Sequence, residues 1–204
     1  MGGPSAGHPV SHRLVGAVLV GGRSRRFGRD KALADAAGQP LAAVVVDALR
    51  RVGADPVVAV GGTAGASLGL PTIADRHPGE GPLAALATVL LWARTGRVLV
   101  TPCDLPLVTA EHLRTLVEGA GPDRAAVAEI DGRPEPSLAC WPARYGPALL
   151  AAVAGGARAW RTALDVGPWT AVPLPAVALA DADTPGQLDE LLGRATVEGG
   201  EGNE

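Results

Sequence analysis

The chain has 204 residues, 47% apolar and 19% charged, with a formal net charge of −3 at pH 7. That is one domain's length with enough apolar material for a core, which excludes global disorder and removes the need for a disulfide or metal staple. The acidic balance argues against a generic nucleic-acid binder, no apolar run approaches the roughly 18 residues of a membrane span, and Cys103 and Cys140 are too few for a disulfide framework or a cysteine zinc site.

Residues 1–12 read as a flexible lead-in, without the charged segment and apolar stretch of a signal peptide, so the expected location is cytoplasmic. Residues 13–194 form a single domain, and 195–204 a flexible tail. The β-branched run 15–20 predicts a buried strand that stops at the tight-turn pair Gly21-Gly22. Apolar residues at 41, 44, 45, 48, 49 and 52 lie on one stripe and predict a helix over 40–52. Next come strands at 56–60 and 71–74, a helix over 81–92, a strand at 97–101, and a helix over 109–118 capped by Thr109. Strands at 125–130 and 137–141 precede a helix over 143–153 and a short one over 159–164. Late strands fall around 172 and over 176–179, and a final helix over 184–192 is opened by Asp183-Thr184-Pro185, with Asp183 as its N-cap.

Strand and helix alternate through the first 120 residues. Such alternation demands right-handed βαβ units, so the fold class is α/β: three layers, Rossmann-like, with a mostly parallel sheet. Ligands on such sheets bind beyond the carboxyl ends of the strands. The segments after Val20, Ala74, Thr101 and Leu179 are therefore expected to meet on one rim.

The first of these segments runs Leu19-Val20-Gly21-Gly22-Arg23-Ser24-Arg25-Arg26-Phe27-Gly28-Arg29-Asp30-Lys31. Paired glycines let main-chain N–H groups approach an anion, and five cations within nine residues create a local positive field. No Gly-Lys pair occurs, which excludes a Walker A loop, and the glycine spacing does not fit a dinucleotide fingerprint. Of 18 basic residues 17 are arginine, and the single lysine is Lys31, a compact point charge where arginine offers a broad fork. Asp104, in Thr101-Pro102-Cys103-Asp104-Leu105-Pro106, is a strand-end carboxylate suited to a hard cation such as Mg²⁺. Cys103 beside it reads as a packing residue, since no histidine is near to activate it. Asp75 ends the third strand, and Asp181-Ala182-Asp183 precedes the last helix. The residues alone lead to a Mg²⁺-dependent enzyme that binds a nucleoside triphosphate on a sheet rim.

The glycine–arginine segment resembles the LAGGxSxRMGxDK signature of nucleotidyltransferases with a GT-A-like fold, in the version carried by molybdenum cofactor guanylyltransferases. Val20 replaces the usual alanine and Phe27 the usual methionine, and the resemblance covers about 16–194. It implies that Leu19, Val20, Gly21 and Gly22 hold the nucleotide through the main chain, that Lys31 meets the triphosphate, and that Arg26 contacts a phosphate. Asp75 takes the place of an aspartate that contacts the guanine nucleotide. It is followed by Gly81-Pro82-Leu83-Ala84-Ala85, where Ala85 replaces a glycine. Asp104 is similar to the metal position of a C-D-x-P motif. Asp181 and Asp183 stand where an N-x-N-T-P ending has amides, which makes Asp183 a second metal or acceptor contact. Glu135-Pro136-Ser137-Leu138 lies where the family lines the acceptor side, with Arg133 near the acceptor phosphate.

The resemblance implies transfer of GMP from GTP to molybdopterin with release of pyrophosphate, catalysed by Lys31, Arg26 and Asp104 with Mg²⁺ as cofactor. The implied partners are GTP, molybdopterin and, transiently, molybdoenzymes or their chaperones, with no nucleic acid and no membrane. The alternatives are a molybdopterin cytidylyltransferase, another small-phosphate nucleotidyltransferase, or a nucleotide-binding module without turnover. Cytidylyl relatives carry Ala-Ala-Gly and Pro-Lys where this chain has Val20-Gly21-Gly22 and Asp30-Lys31, which favours guanine.

Overall fold

The computed structural model describes residues 13–20, 30–75, 77, 79–182 and 184–198. Strand β1 (Leu14–Leu19) is followed by a small hairpin of β2 (Asp35–Ala36) and β3 (Gln39–Pro40), then α1 (Leu41–Arg51), β4 (Val57–Val60) and β5 (Thr72–Ile73). Helix α2 (Pro82–Ala93), β6 (Arg97–Pro102) and α3 (Ala110–Gly119) come next. The second half holds β7 (Ala125–Ile130), β8 (Arg133–Pro142), α4 (Gly146–Ala154), β9 (Trp169–Pro173) and α5 (Pro185–Glu198).

The main sheet has the order β5-β4-β1-β6-β8-β7-β9. β5, β4, β1 and β6 pair in parallel, β9 is parallel to β7, and only β8 runs against its neighbours. Side chains alternate across β1: Leu14 and Val18 face α1 and α3, while Val15 and Ala17 face α2 and α4. Two cores result, one on each face of the sheet, as the three-layer expectation requires. Gly16 lets α1 settle closely on β1, because a Cβ there would lie 3.1 Å from Ala54 Cβ and 3.3 Å from Leu49 Cβ. On the same face, Arg97 donates to the carbonyls of Val117 (2.6 Å) and Ala120 (3.0 Å), which closes the end of α3 against β6.

Chain order reverses around β1, with β4 on one side and β6 on the other. That is a topological switch point, and the crevice between the carboxyl ends of β1 and β6 is where such a fold places a ligand.

Several expectations change. Residues 176–179 are not a strand but a 3-10 turn, Ala176–Leu179. Pro175 sets φ at −63°, its carbonyl accepts from Ala178 N–H (2.9 Å), and the short apolar run winds instead of pairing. The residues after Leu179 therefore reach the rim from a turn packed beside α1 and α3, not from the sheet. The short helix expected at 159–164 is present as the 3-10 helix Trp160–Asp165. β8 starts at Arg133, before the expected position 137. β6 pairs with its second half, from Arg97↔Pro142 to Val100↔Ala139, so Pro134 and Pro136 lie on an edge where a missing N–H is tolerated. At the start of the last helix Thr184 Oγ1 accepts from Gln187 N–H at 3.2 Å and Pro185 opens the first turn, while the expected cap, Asp183, lies outside the described residues. That helix runs to Glu198, past its expected end at 192. Among the described residues, no helix is long and apolar enough to cross a membrane.

Thr109 caps α3 as expected, with a partner the sequence did not announce. Its hydroxyl accepts from His112 N–H (3.2 Å), and His112 Nδ1 accepts from Thr109 N–H (3.3 Å). The ring must be neutral to accept, and burial holds its pKa below the ordinary imidazole value, against a smaller opposing effect of Glu111. This contribution is complete above about pH 6.5 and is lost as pH falls through the lower folded value. Wild-type protein is therefore expected to lose more melting temperature between pH 7 and pH 5 than His112→Gln, which keeps the capping geometry without titrating. Equal losses in a thermal melt series would contradict this.

Candidate active site at the ends of β1 and β6

Asp30 and Lys31 resume the described chain after the glycine–arginine segment. Asp30 accepts from Ala32 N–H through Oδ1 (3.1 Å) and caps the 3-10 turn Lys31–Leu33. The turn fixes the Lys31 main chain at the rim. Its side chain runs inward, only 10% exposed, and Nζ lies 2.6 Å from Asp104 Oδ2. Asp104 lies two residues past the end of β6 and is followed in the chain by the buried Leu105 and Val108. The residues after Leu179 join here, because Ala182 N–H donates to the Asp104 carbonyl (3.3 Å). A small third core of Ala34, Ala36, Leu41, Ala182 and Leu188 locks the Lys31 turn against the start of α5. Three segments that are remote in sequence thus converge on one ammonium–carboxylate contact. It is short and charge-assisted, the strong class of hydrogen bond.

The neighbouring thiol is poorly suited to act as a nucleophile. Burial first, and the Asp104 charge second, push the Cys103 pKa up to about 12. Cys103 packs against the α1–α3 core instead. Cys140 is fully buried, and desolvation drives it to about 12 as well. Both thiols are expected to resist an aromatic disulfide reagent at pH 8 in native protein and to react fully in denaturant. Labelling of Cys103 at the rate of a free thiol in native protein would refute the raised thiol pKa.

Asp75 stands at the end of β5, three strand spacings from β6, or about 14 Å. Its Oδ1 accepts from His77 N–H (3.0 Å) and lies 3.5 Å from Thr88 Oγ1 on α2. The loop that follows is strapped at its other end: Glu80 Oε2 lies 3.5 Å from Arg158 Nη2 and 3.9 Å from His77 Nδ1. Gly81 then takes φ +88° and ψ 179°, a conformation open to glycine alone, and turns the chain into α2 at Pro82. Ala85 is half-buried against the α2–α4 core.

Lys31 and Asp104 are therefore brought together, and Asp75 occupies the same rim at a distance. Leu19 and Val20 end β1; Val20 N–H already donates to Val60 carbonyl (3.1 Å), so it is not a donor for a ligand. Gly21, Gly22, Arg26 and Asp183 lie outside the described residues. Asp181 is exposed, and Arg133 is exposed at the start of β8 near the turn Asp131-Gly132. Trp141 is fully buried with its ring edge-on to Tyr145 (6.4 Å between centroids), as expected of a core residue. A groove of about 810 Å³ on the α1–α3 face, lined by Val44, Ala48, Leu107, Val108, Val177 and Leu191 among others, went unread in the sequence. It includes none of Lys31, Asp75 or Asp104, so the charged rim and not this groove is the candidate site. Thr88 was also missed; its one signal is that it is the sole polar residue of α2.

Among the described residues no cluster of three or more His, Cys, Asp or Glu side chains could cage a metal. Mg²⁺ is commonly held by one or two carboxylates, with substrate phosphates supplying the rest. Asp104, a hard oxygen donor half-exposed at the crevice, fits that pattern.

Residues 16–167 match the family described as MobA-like NTP transferase domain. A molybdenum cofactor guanylyltransferase of Cereibacter sphaeroides is 35% identical over 71% of this chain and 77% of its own. One from Pseudomonas putida is 36% identical over 72% of this chain and 80% of its own. In three dimensions, molybdopterin-guanine dinucleotide biosynthesis protein A of Archaeoglobus fulgidus superposes with a TM-score of 0.70 at 25% identity, covering 89% of this chain and 98% of that one.

Proposed function

Because the chain belongs to the MobA-like NTP transferase family, we propose that it transfers GMP from GTP to molybdopterin, releasing pyrophosphate and forming the guanine dinucleotide cofactor. The observation that carries this reading is the 2.6 Å contact between Lys31 Nζ and Asp104 Oδ2 at the switch point. It sets a cation and a carboxylate side by side where the fold places a ligand. Asp75, about 14 Å along the rim, is at a distance that an extended nucleoside triphosphate can span. The nucleoside end then lies toward β5 and the phosphates toward β6.

The acceptor is itself a phosphate, so its oxygen attacks the α-phosphorus in line and the bond to pyrophosphate breaks. An oxyanion needs no enzyme nucleophile and no strong base. The work left to the protein is alignment and charge neutralisation. Lys31 offsets triphosphate charge, and its buried stem and the Asp30-capped turn hold it in place before substrate arrives. Asp104 orients that ammonium, and it is the described carboxylate that would hold a divalent cation. When bound, Mg²⁺ would offset charge building on the α-phosphate and the leaving pyrophosphate. Gly21, Gly22 and Arg26 complete the phosphate cradle on this reading, Leu19 and Val20 contribute main chain to the nucleoside end, and Asp183 stands beside the acceptor or a second ion.

Lys31→Ala and Asp104→Asn are each expected to lower turnover about 100-fold in a pyrophosphate-release assay with GTP, Mg²⁺ and molybdopterin. Lys31→Arg is not expected to restore it, since a broad guanidinium does not fit a buried site shaped for an ammonium. Thermal shift with GTP, CTP, ATP and UTP in Mg²⁺ should show selective stabilisation by GTP. Full activity in Lys31→Ala would refute the mechanism, and a preference for CTP would move the reading to a cytidylyltransferase.

A further inference from the structure

Helix α2 reads Pro-Leu-Ala-Ala-Leu-Ala-Thr-Val-Leu-Leu-Trp-Ala, apolar at every position but one. The exception, Thr88, is 2% exposed, so its hydroxyl is set in the core where a valine of the same shape would be easier to bury. Burial alone would favour valine at this position, and one partner of the hydroxyl is Asp75. Thr88 Oγ1 lies 3.5 Å from Asp75 Oδ1, at the long end of hydrogen-bond range, and His77 N–H donates to the same oxygen at 3.0 Å. An ionised carboxylate only accepts, so the threonine hydroxyl is the donor. Two donors from different elements, one on the loop and one on α2, converge on Oδ1. Among the described residues, no donor is bound to Oδ2.

We infer that Thr88 is a positioning residue for nucleoside recognition: its hydroxyl, rising from the core face of α2, fixes the Asp75 carboxylate so that Oδ2 is presented to an N–H or O–H donor of the nucleoside. The inference rests on the reading of Asp75 as the nucleoside contact. It adds that the base end of the site is built on α2, and that rigid packing beneath the loop sets its geometry. A carboxylate free to rotate would bind the same donor with a larger ordering cost.

The test compares Thr88→Val, which keeps the shape and removes the hydroxyl, with Thr88→Ser, which keeps the hydroxyl, and with Asp75→Asn. Calorimetric affinities are measured for GTP and for inorganic pyrophosphate, each with Mg²⁺, alongside KM and kcat. Thr88→Val is expected to weaken GTP binding and raise KM about tenfold, with pyrophosphate affinity and kcat unchanged. Thr88→Ser is expected to remain near wild type. Equal weakening of GTP and pyrophosphate, or unchanged GTP affinity in Thr88→Val while Asp75→Asn is impaired, would overturn the role of Thr88 alone. Unchanged GTP affinity in Asp75→Asn would overturn the reading of Asp75 and, with it, the role of Thr88.

Discussion

One ion pair organises the functional end of this protein. Lys31 and Asp104 are 73 positions apart in sequence and 2.6 Å apart in space. They meet because β1 and β6 are neighbours in the sheet, and because the chain leaves both strands at the same end. A buried ammonium and a carboxylate each cost desolvation, and neither would be held there without the other or an equivalent charge. Such a pair is a weak device for stability. It is a strong one for placing charge before an anionic ligand arrives. On the proposed reading, a polyphosphate with its counter-ion would restore the same balance, with the phosphates facing the ammonium and the cation facing the carboxylate.

The surrounding fold keeps that arrangement stiff. Two cores grip the sheet from both faces, and the third, around Leu41 and Leu188, binds the Lys31 turn to the first turns of α5. Ala182 N–H on the Asp104 carbonyl ties the last segment to the same point. The rim around Asp75, assigned to the nucleoside in the proposal, is built differently. Asp75 is fixed by a loop N–H and a helix hydroxyl, and the loop after it is braced by the partly exposed Glu80–Arg158 pair. Exposed pairs of this kind contribute little energy, so this flank is the more adaptable one. Under the proposed assignment, a rigid phosphate end and a softer base end suit a transferase whose chemistry is common to every triphosphate and whose selectivity is not.

Much of this was legible in the residues. The α1 stripe, the Thr109 cap and the alternation behind the parallel sheet follow from period and capping rules. Lys31 stood out because an arginine-rich chain retained one lysine, and Asp104 because it ends a strand between prolines. Their contact could be anticipated only through topology, since nothing local links the two. The misreadings have physical causes. Residues 176–179 are four apolar residues in a row, a pattern shared by buried strands and short turns, and Pro175 decided the outcome. The β2–β3 hairpin was invisible because its turn places Ala37 at φ +53°, a conformation alanine seldom adopts and does not advertise. Thr184, which accepts from Gln187 N–H at the start of α5, is as good a cap by residue type as its neighbour, so residue type alone did not single it out. Thr88 offered one signal, as the sole polar residue of α2, and its contact with a carboxylate thirteen positions away across a loop is not visible locally.

The central claim is that Lys31 and Asp104 act as one unit, and a double-mutant cycle on kcat/KM for guanylyl transfer tests it most directly. The account predicts strong non-additivity: Lys31→Ala combined with Asp104→Ala should be scarcely worse than either change alone, because each already disables the shared machinery. Losses that multiply, with the double variant falling by the product of the two single effects, would mean that the two residues work independently and would contradict it.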